Sequence, residues 1–371
     1  MALTRIANIA STIPDDSIAN VKMANIVQSK NIIINGDMSV AQRSTSVTGS
    51  TAGGYLTCDR WNFNIGSAGT WTATQSTDVP TGQGFATSFK LDCTTADASL
   101  GSGDIMQLQQ RFEGQNLQYL KKGTSSAESV TVSFWVRSTK TGTYICELQD
   151  VDNSRAISKS YTISSADTWE KKTITFAGDT TGALDDDNAR SLDAIWYLSA
   201  GSNYTSGSLQ TSWGSKTDAN RAVGQVNFAD SASNDFYITG IQLETGDTAS
   251  EFEFLPYDLN LDRCHRYYQN YITQNDKFIT MGGYNSTNFI YMWFRFYKTM
   301  RANPSLEINT GTNYYNVYRA GGTDSIDSLG ISTNTPQGCM LYKSGESGTA
   351  GDVAFLYTNN SDVYIAFGSE L

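Results

Sequence analysis

Histidine is nearly missing from this chain: 371 residues carry one, His265. Paired-histidine metal motifs are thereby excluded, and imidazole acid–base chemistry has a single address. Proline is scarce, at five residues, which excludes a proline-rich extended spacer. Charge is thin as well. Asp, Glu, Lys and Arg make up 17% of the chain, against about 25% in an average globular domain. Basic charge is the scarcer sign, 26 residues against 37 acidic ones for a net charge of −11. Such a chain offers no basic face for nucleic-acid phosphate or for an anionic bilayer. No run reaches the roughly 18 apolar residues of a spanning helix. The opening MALTRIANIASTIPDDSI lacks a signal-peptide core, since Asp15 and Asp16 interrupt it; the expectation is synthesis in a cytoplasm. Cysteines stand at 58, 93, 146, 264 and 339, an odd set without metal spacing, which points to free buried thiols. Neither a Gly-x-Ser-x-Gly elbow nor a phosphate loop occurs.

What is present is glycine (32), Ser, Thr, Asn and 20 tyrosines, a composition suited to pleated strands. The pattern that organises the chain is 236–257, FYITGIQLETGDTASEFEFLPY. Phe236, Ile238, Gly240 and Gln242 alternate with Tyr237, Thr239, Ile241 and Leu243, the signal of a strand. Gly246 and Asp247 make a turn, and Pro256 ends the pairing. Further strands are expected at 31–34, 55–63, 69–76, 85–93, 104–112, 130–136, 142–150, 158–163, 168–179 and 191–200. Trp61, beside Phe63, reads as core. Residues 201–222 form a long Gly/Ser loop. Asp258 to Tyr271, DLNLDRCHRYYQNY, reads as a helix, and seven more short strands follow, from Phe278 to Phe367. The fold class expected is all-β: a two-sheet jelly-roll β-sandwich, then a smaller C-terminal β-sandwich. The domains are an N-terminal segment at 1–30, the jelly roll at 31–257, a helical connector at 258–271 and the C-terminal β domain at 272–371.

At the N-terminus, Pro14 with Asp15 and Asp16 starts a short helix. Ile18, Val21, Met23, Ile26 and Val27 form its apolar stripe. A helix this short must pack on something, either its own core or a partner.

Three strings resemble a known family: Gln242-Leu243-Glu244-x-Gly246, then Phe252-Glu253, then Arg263-Cys264-x-Arg266-Tyr267-Tyr268. In that order they resemble the end of a jelly-roll domain of bacteriophage tail fibres and other virion surface proteins. NIIINGDMS, SFWVRS and TWEKKTITFAGD resemble carbohydrate-binding-module jelly rolls, and FYKTMRANPSLEI the family's small C-terminal sandwich. The resemblance implies a non-enzymatic receptor-binding fibre, in homotrimers on the virion, that attaches to host polysaccharide or lipopolysaccharide. It makes the apolar stripe of the N-terminal segment a virion-docking helix for other phage tail proteins. An alternative is a structural decoration or adaptor protein, and a further one a glycan depolymerase. Neither nucleic acid nor membrane insertion is expected among the partners.

Sugar recognition stacks aromatic rings on pyranose faces. The aromatics at loop-rich positions are Tyr55, Trp71, Tyr204, Trp213, Tyr284, Tyr314, Tyr315 and Tyr318. Burial in the core is the other reading of each. Tyr204 and Trp213, in the longest loop, are the first glycan-binding candidates; Tyr314, Tyr315 and Tyr318, at the C-terminal tip, are the second. No catalytic residue and no cofactor is expected. The run Asp185, Asp186 and Asp187 is a solvated loop, or else a calcium or carboxylate-pair site. A structural calcium near Asp37 is the one metal to consider. Cys264 and His265 are adjacent on the expected helix, and such neighbours do not face one another.

Overall fold

The computed structural model describes residues 30–272, 275–345 and 347–371. The docking stripe Ile18, Val21, Met23, Ile26 and Val27 lies outside the described residues. Nearly everything described is antiparallel β, in two sandwiches.

The first sandwich stacks two six-stranded sheets. One contains β1 (Ser46–Ser50), β3 (Thr70–Ser76), β4 (Ser88–Thr95), β6 (Val130–Ser138), β9 (Glu170–Phe176) and β12 (Asp235–Thr245), in the order β1-β3-β4-β12-β6-β9. The other contains β2 (Asn62–Gly66), β5 (Ile105–Glu113), β7 (Gly142–Asp150), β8 (Arg155–Ile163), β10 (Arg190–Ala200) and β11 (Gly214–Ser215), in the order β11-β8-β7-β10-β5-β2. Sequence neighbours repeatedly sit in opposite sheets, the mark of a jelly roll. Alternation supplies the core. On β6 Val130, Val132, Phe134 and Val136 face inward, and on β10 Leu192, Ala194, Trp196 and Leu198 meet them. Trp61 is fully buried, edge-on to Trp196 at 5.6 Å, and Phe134 closes on the same ring at 5.8 Å. Each such ring removes about 150–250 Å² from water, so these contacts dominate the stability of the sandwich.

β12 departs from simple alternation. Phe236 and Ile238 face the core, but further along Ile241 and Leu243 do. The pairing with β6 shifts between Thr239 and Gln242, and Gly240 sits at φ +61°. One extra residue in a strand moves the following side chains to the opposite face.

Three expected elements take other shapes. Residues 31–34 form no strand. The Asn31 amide donates to the Ile241 carbonyl at 3.0 Å and accepts from the amides of Leu243 and Ile33. Side chains there do what a ladder otherwise does. The segment 55–63 turns before its strand begins at Asn62, with Arg60 at φ +72°. The expected helix to Tyr271 stops at Tyr257–His265, and β13 (Tyr268–Ile272) continues the chain. β13 is extended because it pairs with the last strand, β22 (Ile365–Gly368).

The second sandwich faces a three-stranded sheet, β13-β22-β16 with β16 at Ser305–Ile308, against a seven-stranded one. The large sheet contains β14 (Phe278–Ser286), β15 (Phe289–Arg295), β17 (Tyr315–Arg319), β18 (Gly322–Ile326), β19 (Gly330–Thr335), β20 (Gly338–Ser344) and β21 (Val353–Thr358), in the order β18-β17-β21-β14-β15-β20-β19. Its core includes Ile290, Met292, Phe294, Leu341, Leu356 and Phe367.

A polar seam joins the sandwiches. Arg266 donates to both Glu113 carboxylate oxygens at 2.7 and 2.6 Å, and the Tyr267 hydroxyl adds a third bond at 2.5 Å. Arg60, 1% exposed, pairs with Glu370 and lies 3.5 Å from the Tyr267 ring centroid. Asn270 donates to the Gln42 carbonyl at 2.8 Å.

Candidate functional site

Several clefts open along the seam, two of them beside Arg266 and His265. One, of about 360 Å³, is lined by Arg263, Arg266, Glu113, Asn116 and Tyr119. The other, of about 410 Å³, lies between Tyr257, Tyr297, Tyr271 and His265. Their polar groups are largely engaged: Arg266 on Glu113 and the Tyr271 hydroxyl on Gln269. His265 packs against Tyr297 with ring centroids 5.6 Å apart, and burial pushes its imidazole pKa down. Cys264 is fully buried, and that burial holds its thiol well above the usual range. Such a thiol is no nucleophile, so the Cys264–His265 neighbourhood is packing. All five cysteines are free and buried.

The acidic run is engaged with its own loop. Asp187 accepts from the Ala189 amide at 2.8 Å, and the Asp185 amide donates to Asp152. Asp37 Oδ1 accepts from the Asn260 amide and the Ser39 hydroxyl, both at 3.0 Å. Among the described residues no three His, Cys, Asp or Glu side chains group as a metal site requires.

The aromatic candidates separate by burial. Trp71 and Tyr284 are core. Tyr204 stands on one helical turn, Ser202–Thr205, and packs half-buried beside Tyr197, Ile195 and Ile145. Its loop therefore covers part of the outer face of the second jelly-roll sheet. Trp213 is half-buried too; its Nε1 donates to the Ala177 carbonyl at 2.7 Å, and the Lys122 ammonium sits 5.2 Å from its ring. Tyr315 is fully buried and donates its hydroxyl to the Asn309 carbonyl at 3.0 Å. It cannot stack on a ligand, which corrects the expectation of display. Tyr314 is half-buried against the second core. Tyr318 is 38% exposed.

Tyr318 belongs to a surface that the loop argument did not pick out. On β17 Tyr315 and Val317 point to the core, so Tyr318 points away. Its partner on β21 is Phe355, whose partner on β14 is Met281. The β14–β15 register, Gly282 opposite Met292, places Met281 opposite Trp293, and Trp293 faces Met340 on β20. Tyr318, Phe355, Met281, Trp293 and Met340 thus form one row across five neighbouring strands. With strands about 4.8 Å apart, the row is about 19 Å long. Thr323 on β18 and Ser332 on β19 continue it at either end. Phe278, Tyr357, Val353, Tyr291 and Tyr342 flank it on the same outer face. Phe278, Met281, Trp293 and Val353 are each about half exposed, and Phe355 is 39% exposed. At roughly 100 Å² apiece for such side chains, the six most exposed, Tyr318 included, present about 600 Å². That is the upper end of the largest apolar patch on an ordinary monomer, and such patches mark binding surfaces.

The signal for this face was in FIYMWFR and VAFLYT. Both strands are apolar in both phases, which normally means burial on both sides. Among the described residues only one side of this sheet has a partner layer.

No family model matches the chain, and no curated protein matches it. Solved structures similar to it include the enzymatically active domain of tailspike protein 4 of bacteriophage CBA120, at 14% identity over 58% of this chain and a TM-score of 0.31. The chain spans 22% of that tailspike chain. A "putative sugar binding protein" of Bacteroides thetaiotaomicron is 11% identical over 58% of this chain and 100% of its own, with a TM-score of 0.32. The module TmCBM61, in complex with β-1,4-galactotriose, is 11% identical over 59% of this chain and 100% of its own, with a TM-score of 0.30. These are likenesses of a β-sandwich at low superposition, and they carry no residue of this chain into a role.

Proposed function

We propose that this protein is a virion attachment protein of the tail-fibre kind that binds host-surface polysaccharide or lipopolysaccharide without cleaving it. The exposed aromatic row on the seven-stranded sheet carries this reading. Rings in water are costly to display, and a row of them offers the apolar faces on which pyranose rings stack. The seam ties the jelly roll to residues around β13 and β22 of the three-stranded sheet, and the seven-stranded sheet packs on that layer, so the face stands on a packed scaffold element, as a binding site requires. The virion is its location, reached after synthesis in the host cytoplasm, and a homotrimer its assembly. Identical weak sites on one particle gain avidity without new contacts.

The test uses the full chain and a panel of immobilised polysaccharides and host cells. Retention is expected, weakened in Trp293→Ala at unchanged melting temperature. Retention on phage particles alone favours a decoration or adaptor role instead. Release of reducing ends from any retained polysaccharide overturns the non-enzymatic part.

A further inference from the structure

Resting on the sugar-binding reading of the aromatic face, we propose that its ligand is an uncharged, extended, β-1,4-linked polysaccharide lying across the strands, one sugar per strand. The register carries the argument. Tyr318, Phe355, Met281, Trp293 and Met340 stand on successive strands. Their spacing is the interstrand distance of about 4.8 Å. That distance is close to the advance of one pyranose in a ribbon whose linkages are equatorial. A polymer laid along the row therefore brings each ring over one side chain without a break in phase. An α-linked chain curves away from a straight row after a few units.

The chemistry of the row agrees with its spacing. Its five members carry rings or thioethers and no charge. Flat carbon–hydrogen faces suit them; the polarizable sulfur of Met281 fills the place between Phe355 and Trp293, and that of Met340 extends the apolar row as far as Ser332. Of the nearby cations, Arg319 is paired with Asp324 at 2.8 and 3.1 Å, while Arg295, two residues past Trp293, stands on the same outer face beside the row and not in it. None of the five side chains of the row places a cation under an acidic sugar. At the row's ends Thr323 and Ser332 replace the apolar side chains. Their hydroxyls can donate to and accept from the hydroxyls of the last sugars. Apolar centre and hydroxyl ends together bound a site of about five units.

The experiment incubates the full chain with microcrystalline cellulose, chitin, amylose and alginate. It then titrates soluble β-1,4 oligosaccharides of increasing length. Retention is expected on cellulose or chitin and not on amylose or alginate, with affinity rising up to about five sugars, the length of the row. Trp293→Ala is expected to weaken binding about tenfold, the scale of one lost ring stack. Leu259→Ala, an exposed apolar side chain on the helix Tyr257–His265, is expected to leave it unchanged. Retention confined to amylose or to alginate overturns the proposed class and leaves sugar binding by this face standing. Binding of β-1,4 polymers without any dependence on length overturns the one-sugar-per-strand register. If no polymer is retained and sedimentation shows an assembly that Trp293→Ala dissolves, the face belongs to a second copy of the chain. Both readings then fall.

Discussion

Glu113 and Asp59 are both buried carboxylates, and their environments push them in opposite directions. Burial alone raises Glu113, but bonds from Arg266 and Tyr267 outweigh it and hold the carboxyl below its usual range. Its stabilisation is complete above the ordinary carboxylate value of about 4.3 and is lost as pH falls through the lowered folded value. Glu113→Ala leaves Arg266 and the Tyr267 hydroxyl without their acceptor, and the expected loss is about 2–4 kcal/mol, read from urea unfolding. Asp59 is 1% exposed, and burial pushes it up to about 6 despite hydrogen bonds from Gln42. Its folded pKa lies above the unfolded value of about 3.9. Its contribution is therefore full below that value and fades as pH rises through about 6. The difference in melting temperature between the native chain and Asp59→Asn is expected to change between pH 4 and 6.5 in the variant's favour. A flat difference across that window sinks the assignment. Each carboxylate rests on hydrogen bonds from residues distant in the sequence, which no spacing announces.

At the scale of the element, β12 is the strand on which the reading of the chain turned. Its existence was plain from Phe236 to Leu243, but its phase was not. Simple alternation runs straight through Gly240, and the bulge reverses it. A Cβ at Gly240 comes within 2.5 Å of the Phe85 ring, at a φ of +61° that favours glycine. Gly240→Val is expected to cost about 2–4 kcal/mol, and Gly49→Val is the control. Gly49 also has positive φ, but nothing lies within 4 Å of its Cβ position. A similar loss at both sites reduces the effect to backbone strain and removes Phe85 from the account. The same strand shows what sequence patterns carry. Strands with one apolar phase, such as 130–136, were legible because period two has one explanation there. Segments whose side chains pair the backbone, such as 31–34, were not: the apolar run after Asn31 reads as a strand, and nothing in its spacing announces the bonds that the Asn31 side chain makes. The aromatic face was hidden for a related reason: an apolar second phase on β15 and β21 means either another layer or a binding surface, and only the tertiary arrangement separates the two.

For the whole molecule, the question is whether two sandwiches behave as one. The seam is made of long-range pairs: Glu113 with Arg266 and Tyr267, Arg60 with Glu370, Gln42 with Asn270. Burying such groups is costly unless every partner is in place. Either sandwich alone exposes half of each pair, so partial unfolding forfeits the attraction. A domain has only about 5–15 kcal/mol of stability in total, and one broken buried pair costs about 3–5 kcal/mol. Coupling of that size is enough to merge two transitions. The native chain is therefore expected to melt in one calorimetric transition with equal calorimetric and van't Hoff enthalpies. Arg60 is the place to cut, because its guanidinium serves Glu370, the Arg111 carbonyl at 2.7 Å and the Tyr267 ring at once. In Arg60→Ala the smaller C-terminal sandwich is expected to melt first, separating from the jelly roll, and the aromatic face should go with it, so that glycan retention is lost at the lower transition. Two resolved transitions in the native chain show that the seam positions the sandwiches without coupling their stability. The rigid presentation of the aromatic row then has to come from its own sheet.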